Sequence, residues 1–426
     1  MIQRLLNNRF VRNVAVVATG TAGAQAITMA CAPFITRLYG PEAFGVLGTF
    51  TATLDVVTPI AALTYPVAMV LPKKDDDARS IAKLSFLLAL CISLIFAAIV
   101  LIGEQAIAQL LNLEAIAPYL LLIPLAMFLS SLQQIMQQWL IRKKQFKVSA
   151  RIAISQSLIL NSAKTGMGFV HPAGAVLIVI ATLGNALYAL QLWLGAKRWS
   201  SPAEYIHRPA KALPSWKKMA CQYRDFPLYR APQVTINAFS QSFPVLILAA
   251  FFGPATAGFY ALARSVISAP AGLLGHSIGN VFFSQIAEAV NKGKNPRPYL
   301  YRATLGALGV AFLPFVVLML WGGSIFSFVF GEQWYTAGTY AQWMSIWILF
   351  SLAARPVIAT IPVINIQGLF LVTEIIFTIL KVLAILVGAI LFSSALYAVV
   401  FYSLISALFY VVLFFIVFNK SKQKFL

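Results

Sequence analysis

The sequence predicts an all-α integral membrane protein: about twelve transmembrane helices in two parallel six-helix repeats around a central cationic cavity. Three observations carry that expectation. Hydrophobic residues make up 60% of the 426 residues and charged residues only 10%, with a mean hydropathy of +0.83. Soluble domains run near ~45–50% and ~25%, and no aqueous fold of this size hides so much apolar surface, so lipid must solvate most of it. Apolar stretches long enough to cross about 30 Å of hydrocarbon occur twelve times. Finally, the turn Gly40-Pro41, closed by Gly45, returns as Gly253-Pro254, closed by Gly258. The return comes 213 residues on, half the chain length.

The expected spans are 13–36, 45–70, 84–103, 118–138, 152–170, 173–195, 232–251, 258–283, 303–322, 338–360, 369–391 and 395–418. Helix is the only state that satisfies each backbone group within its own segment in lipid. The N-terminus superficially resembles a secretory leader, but the apolar run from Asn13 to Thr36 is long for one and reads as a retained first helix.

Charge fixes the orientation. Twenty-seven of the 32 Lys and Arg residues fall in the termini and alternate connections that would share one side. By the positive-inside rule that side is cytoplasmic, and it holds both termini. The net charge of +20 therefore needs no nucleic-acid partner, since the cations lie in short runs between apolar segments and form no basic face. The Gly-Pro turn follows span one and its echo follows span seven, both on the outer side. Six spans is an even number, so the halves are parallel repeats related about an axis along the membrane normal. The expected organisation is a lobe over 1–195, a basic cytoplasmic linker over 196–231 and a second lobe over 232–426. The linker mixes Trp, Phe and Tyr with Lys and Arg, a composition suited to an anionic leaflet or to plain solvation.

Five cations remain: Arg37, Lys164, Arg264, Arg355 and Lys381. Two acids, Asp55 and Glu374, also fall inside spans. A charge at mid-bilayer costs roughly 2.5–3.5 kcal/mol on insertion scales, so these groups should face water or one another. Arg37, Arg355 and Lys164 also have interface or snorkelling explanations; Lys381 is the deepest. Helical spacing favours a cavity: Ser157, Asn161, Lys164 and Thr165 form one stripe. Thr51, Asp55 and Thr58 form a second, Glu374, Thr378 and Lys381 a third, and Arg264, Ser268, Gly272 and Gly275 a fourth. Spans one and seven are also unusually polar, so the first two helices of each half would wall a shared lumen. Excluding Arg37, four intramembrane cations face two acids, a balance suited to an anionic headgroup such as a diphosphate. No cysteine or histidine spacing suggests a metal site or disulfide, and no phosphate-binding GxxxxGK[ST] loop is present, so no cofactor is expected.

The segments FITRLYGPEAFGVLGTF, YRDFPLYRAP and FGEQW, with twelve spans in two halves, resemble the Wzx-type polysaccharide flippases of the multidrug/oligosaccharidyl-lipid/polysaccharide exporter superfamily. The resemblance covers essentially the whole chain and implies a non-enzymatic bacterial inner-membrane protein. Such a protein moves undecaprenyl-diphosphate-linked oligosaccharide to the periplasmic leaflet for O-antigen, capsule or exopolysaccharide synthesis. It also implies two lobes forming a V around a cationic lumen that opens alternately to each side. The resemblance does not fix the binding residues; the charge reading makes Arg264 and Lys381, helped by Lys164, Arg355 and Arg37, the expected substrate-binding residues. Asp55 and Glu374 are the candidates for coupling to a proton or sodium gradient or for balancing charge. Expected partners are the lipid-linked substrate, the bilayer and polysaccharide polymerase or assembly proteins.

Two other classes compete. A multidrug/cation antiporter of the same superfamily needs an acidic substrate site, which the cation excess disfavours. A membrane oligosaccharide polymerase or ligase needs groups in a substantial outer loop, and the short outer connections offer only Glu42, Glu104, Glu114, His171 and Glu332.

Overall fold

The computed structural model describes residues 9–110, 114–199, 216–291, 295–364 and 366–423. Residues 200–215 of the expected linker therefore lie outside the described residues. Among the described residues there is no strand, and twelve long helices follow in order. They are α1 (Arg9–Leu38), α2 (Pro41–Ala61), α3 (Asp75–Leu110), α4 (Leu122–Arg142), α5 (Phe146–Val170) and α6 (Gly174–Trp199), then α7 (Ala231–Phe252), α8 (Pro254–Asn291), α9 (Arg297–Phe330), α10 (Tyr335–Ala353), α11 (Gln367–Ile390) and α12 (Ala395–Gln423).

Eight candidate spans among the described residues meet length and composition criteria for crossing a membrane. The long helices outside those spans are α1, α4, α5 and α8. Their sequences carry the extra Gln, Ser, Thr, Asn and charged residues, so composition alone understates them. Several helices outrun the apolar stretches that announced them; α9 begins at Arg297 and ends at Phe330, beyond the apolar core of 303–322. Polar ends continue the helix past the hydrocarbon, because backbone hydrogen bonding there costs nothing extra.

The chain forms two compact units, Met1–Ala250 and Phe251–Leu426, so the boundary falls in the last turn of α7. In the first unit α2 packs on α4, α3 on α4, α4 on α6 and α5 on α6. In the second unit the equivalent pairs recur: α8 on α10, α9 on α10, α10 on α12 and α11 on α12. Local features recur too. Pro41 and Pro254 both occupy the first position of their helices, where a missing N–H costs nothing. The third helix of each set is interrupted by one non-helical residue, Gly103 in α3 and Trp321 in α9.

Ion pairs and caps fix one end of the first unit. Asp75, Asp76 and Asp77 open α3, where carboxylates suit the helix dipole. Asp75 takes Arg142 at 2.9 Å and Lys143 at 2.7 Å, and Arg142 also donates to the carbonyls of Met69 (3.0 Å) and Pro72 (2.7 Å). The helical segment Trp216–Gln222 docks beside this end, burying Met219 against Tyr65, Met69, Ile81 and Ile135. There the Tyr65 hydroxyl donates to the carbonyl of Ala220 at 3.0 Å and Thr64 to that of Phe226 at 3.2 Å. The core of the second unit gathers Leu300, Val357, Ile361, Phe377, Phe409 and Leu413.

Candidate functional site

In the second unit, four of the seven predicted charged residues sit along α12. The helix supplies Tyr402, Phe409 and Tyr410, at i, i+7 and i+8, so their side chains form one stripe about 12 Å long. At one end Arg264 on α8 lies in electrostatic contact with the buried phenols of Tyr260 and Tyr402, which hydrogen-bond to each other. Tyr260 and Arg264 are one turn apart, which points both at the same part of α12. Two turns along, the Lys381 ammonium of α11 rests over the Phe409 ring, 4.7 Å from its centroid. That cation–π contact partly replaces the water the ammonium gives up. Glu374, two turns before Lys381 on α11, is within electrostatic range of both Lys381 and Tyr410.

Arg355 completes the group through a break in the chain. The sequence suggests one span over 338–360, but α10 ends at Ala353 and a short helix, Arg355–Thr360, follows. Pro356 is the physical reason, because its ring disfavours helical geometry in the residue before it and it cannot donate to Leu352. The guanidinium of Arg355 approaches Tyr410, which hydrogen-bonds Ser351. Its Nε is buried and finds no hydrogen-bond partner among the described residues. It packs against the bare backbone of Gly275, where an added Cβ would come within 2.8 Å of Nε.

The remaining three predicted residues lie in the first unit. Lys164 is half-buried on α5, and its carbonyl accepts a 3.0 Å hydrogen bond from the buried Tyr39 hydroxyl. Arg37 is exposed in the last turn of α1, where a cation complements the helix dipole. Asp55 is exposed on α2, and its stripe mates Thr51 and Thr58 bond their own helix, to the carbonyls of Leu47 and Leu54.

The α5 stripe divides differently from its lumen-lining expectation. Ser157 donates to the Ala24 carbonyl at 2.8 Å and meets Thr28 at 3.0 Å, while Asn161 donates to the Ser157 carbonyl at 2.7 Å. These groups join α5 to α1. Tyr260, Tyr402, Phe409 and Tyr410 were not anticipated, although the i, i+7, i+8 aromatic spacing on α12 was readable. Among the described residues no three His, Cys, Asp or Glu side chains group as metal ligands.

In chemical terms the second-unit group is three cations against one carboxylate, with phenolic hydroxyls between them. Such a set suits an extended anion with several oxygens.

Several solved structures resemble the fold, among them the three that follow. An inward-facing multidrug resistance MATE family transporter of the MOP superfamily matches with TM-score 0.72 and 12% identity, over 94% of this chain and 96% of its own. The lipid II flippase MurJ, in an inward closed conformation, matches with TM-score 0.72 and 13% identity, over 95% and 87%. A MOP superfamily transporter from Pyrococcus furiosus, described as having a binding pocket of reverse polarity, matches with TM-score 0.63 and 12% identity, over 99% and 97%. At these identities the likeness is one of fold, that of a multi-pass, all-α membrane transporter. In sequence, residues 34–338 match the profile of a family described as polysaccharide biosynthesis protein, and the chain belongs to that family. No curated protein matches the chain.

Proposed function

We propose that this protein is a flippase that carries undecaprenyl-diphosphate-linked oligosaccharide repeat units from the cytoplasmic to the periplasmic leaflet of a bacterial inner membrane, by alternating access. The observation that carries the reading is the gathering of Arg264, Arg355 and Lys381 along one aromatic stripe of α12. A diphosphate is the part of the substrate that bare hydrocarbon most strongly excludes, and guanidinium and ammonium donors are its natural receptors. The phenols of Tyr402 and Tyr410 would donate to phosphate or sugar oxygens between the cations. Glu374 would keep Lys381 charged or exchange a proton or sodium ion. Lys164 and Arg37 would be secondary contacts and Asp55 a charge balance. The functional lobes would be residues 1–195 and 232–426, joined by the basic linker 196–231, with both termini cytoplasmic. Surface polysaccharide such as O-antigen or capsule would be the end product.

A leaflet-resolved translocation assay in proteoliposomes, with a defined polyprenyl-diphosphate oligosaccharide, tests this reading. Arg264→Glu and Lys381→Glu should each abolish translocation while leaving the amount of folded protein in the membrane unchanged. Wild-type rates in both variants, or drug-cation efflux with no oligosaccharide movement, would sink the assignment.

A further inference from the structure

A second binding feature lies outside that cluster, where α5 and α6 pack in the first unit. Arg151, Ile152 and Ser155 on α5 and Gln191, Leu194 and Gly195 on α6 border a groove of about 340 Å³. With Val148, the lining on α5 runs two helical turns to Ser155, so the groove follows that helix for roughly 10 Å. Gly195 keeps its base narrow: a Cβ there would meet Val148 at 2.7 Å and Ile152 at 2.9 Å. The walls are mainly apolar, with polar side chains at Arg151, Gln191 and Ser155, whose hydroxyl donates to the Gln191 side-chain Oε1 at 3.4 Å.

The rim is one-signed. Between Glu114 and Glu204 the sequence contains no acid, yet it carries eight Lys and Arg residues. Of these, Arg142 and Lys143 are paired with Asp75. Lys147 and Arg151 are one turn apart on the exposed face of α5, and neither makes an ion pair or side-chain hydrogen bond among the described residues. Lys197, in the last turns of α6, stacks on Trp193 at 5.3 Å, on a different side of the helix from the groove-lining Gln191, Leu194 and Gly195. Trp193 and Leu194 are half-exposed, at 47% and 49%, as residues facing an interface and an acyl layer are.

We propose that this groove holds one anionic glycerophospholipid. Its phosphate would be taken by Arg151 and Lys147, with one acyl chain against Ile152 and Leu194. Charge complementarity selects the occupant, because an apolar slot with an unmatched cationic rim recognises a lipid carrying a net negative headgroup over a zwitterionic one. The volume is at the small end of the roughly 300–1,000 Å³ of ligand sites, so it fits a headgroup and the start of one chain while the remainder stays in the bilayer. The leaflet concerned rests on the orientation proposed above; the binding chemistry does not.

The full-length protein in phosphatidylcholine vesicles, doped with phosphatidylglycerol brominated on its acyl chains, provides the test. Quenching assigned to the groove is the additional fluorescence loss that a Leu194→Trp variant, which puts an indole on the groove wall, gains over the unmodified protein. Brominated phosphatidylglycerol should be preferred over brominated phosphatidylcholine by about tenfold, and Lys147→Glu/Arg151→Glu should erase that preference. Arg302→Glu, which reverses an exposed cation of the second unit, should leave it intact. If the charge reversals prevent insertion, Lys147→Gln/Arg151→Gln should reduce the preference to about threefold or less. Equal quenching by the two lipids, an equal loss in Arg302→Glu, or displacement by a polyprenyl diphosphate but not by phosphatidylglycerol would each overturn the proposal. No translocation is measured, so the result stands apart from the fate of the flippase reading.

Discussion

The fifth helices of the two sets, α5 and α11, answer the same problem in opposite ways. Each carries polar residues at helical spacing inside a membrane protein. On α5, Lys164 apart, they are hydroxyls and an amide: Ser157 and Asn161 bond Ala24 and Thr28 of α1 and each other, while Thr165 donates to the Asn161 carbonyl of its own helix. On α11 the residues are Glu374 and Lys381, and they turn to the aromatic stripe of α12 with Arg264 and Arg355 gathered nearby. The difference is chemical. Hydroxyls and amides both donate and accept, so a few of them satisfy one another and act as helix glue. Cations only donate, and the acceptors gathered beside these three are one carboxylate and neutral phenols.

The contrast can be broken first at its packing. Each fifth helix depends on a close approach secured by glycine. A Cβ at Gly20 on α1 would run into Ala150 of α5, and one at Gly388 on α11 would run into the backbone of Ala398 on α12. Backbone cannot yield as a side chain can, so Gly388→Val should cost ~3 kcal/mol or more. It should leave little monodisperse protein on fluorescence-detected size exclusion, with Gly20→Val somewhat less damaging. Normal yield of Gly388→Val would mean that the α11–α12 crossing is looser than described.

A smaller effect sharpens the functional side. Removing the ammonium at position 381 should slow translocation by about ten- to a hundredfold, the size of a lost charge-assisted hydrogen bond to phosphate. Lys164→Ala should slow it by about threefold at most, because Lys164 stands outside the α12 group. Initial rates in proteoliposomes at matched protein density decide the matter; equal losses would erase the asymmetry.

The smallest effect belongs to the glue. Asn161→Leu should lower stability by about 1 kcal/mol, in line with interhelical hydrogen bonds in membranes. A thermal shift of a few degrees with near-normal translocation is expected. Lost translocation at unchanged thermal stability would instead give Asn161 a direct part in transport.

The fold was legible because lipid imposes a coarse rule. Long apolar runs, one-sided cations and the echo of Gly40-Pro41 in Gly253-Pro254 announce helices and their repetition without any knowledge of contacts. The helix ends were less legible, since Arg297 and Leu110 lie beyond the hydrocarbon, where hydropathy falls silent. The break at Ala354 was hidden inside an unbroken apolar run, although Pro356 marked it. The charged members of the site stood out by their cost. Its tyrosines did not, because in a composition so rich in aromatics Tyr402 and Tyr410 read as filling. Ser157 and Asn161 misled for a related reason: periodicity shows which face a residue occupies and says nothing of which neighbour covers it.

The duplicated Gly-Pro turn is not equally constrained in its two copies. Gly40 has φ −72° with open space around it, a backbone that any amino acid adopts. Gly253 has φ +84°, where a side chain costs about 1–2 kcal/mol. Substitution is therefore sterically cheap at the first copy of the motif and strained at the second. Among descendants of this gene, position 40 should wander toward Ser, Asp or Asn, which cap a helix better than glycine, while position 253 stays fixed.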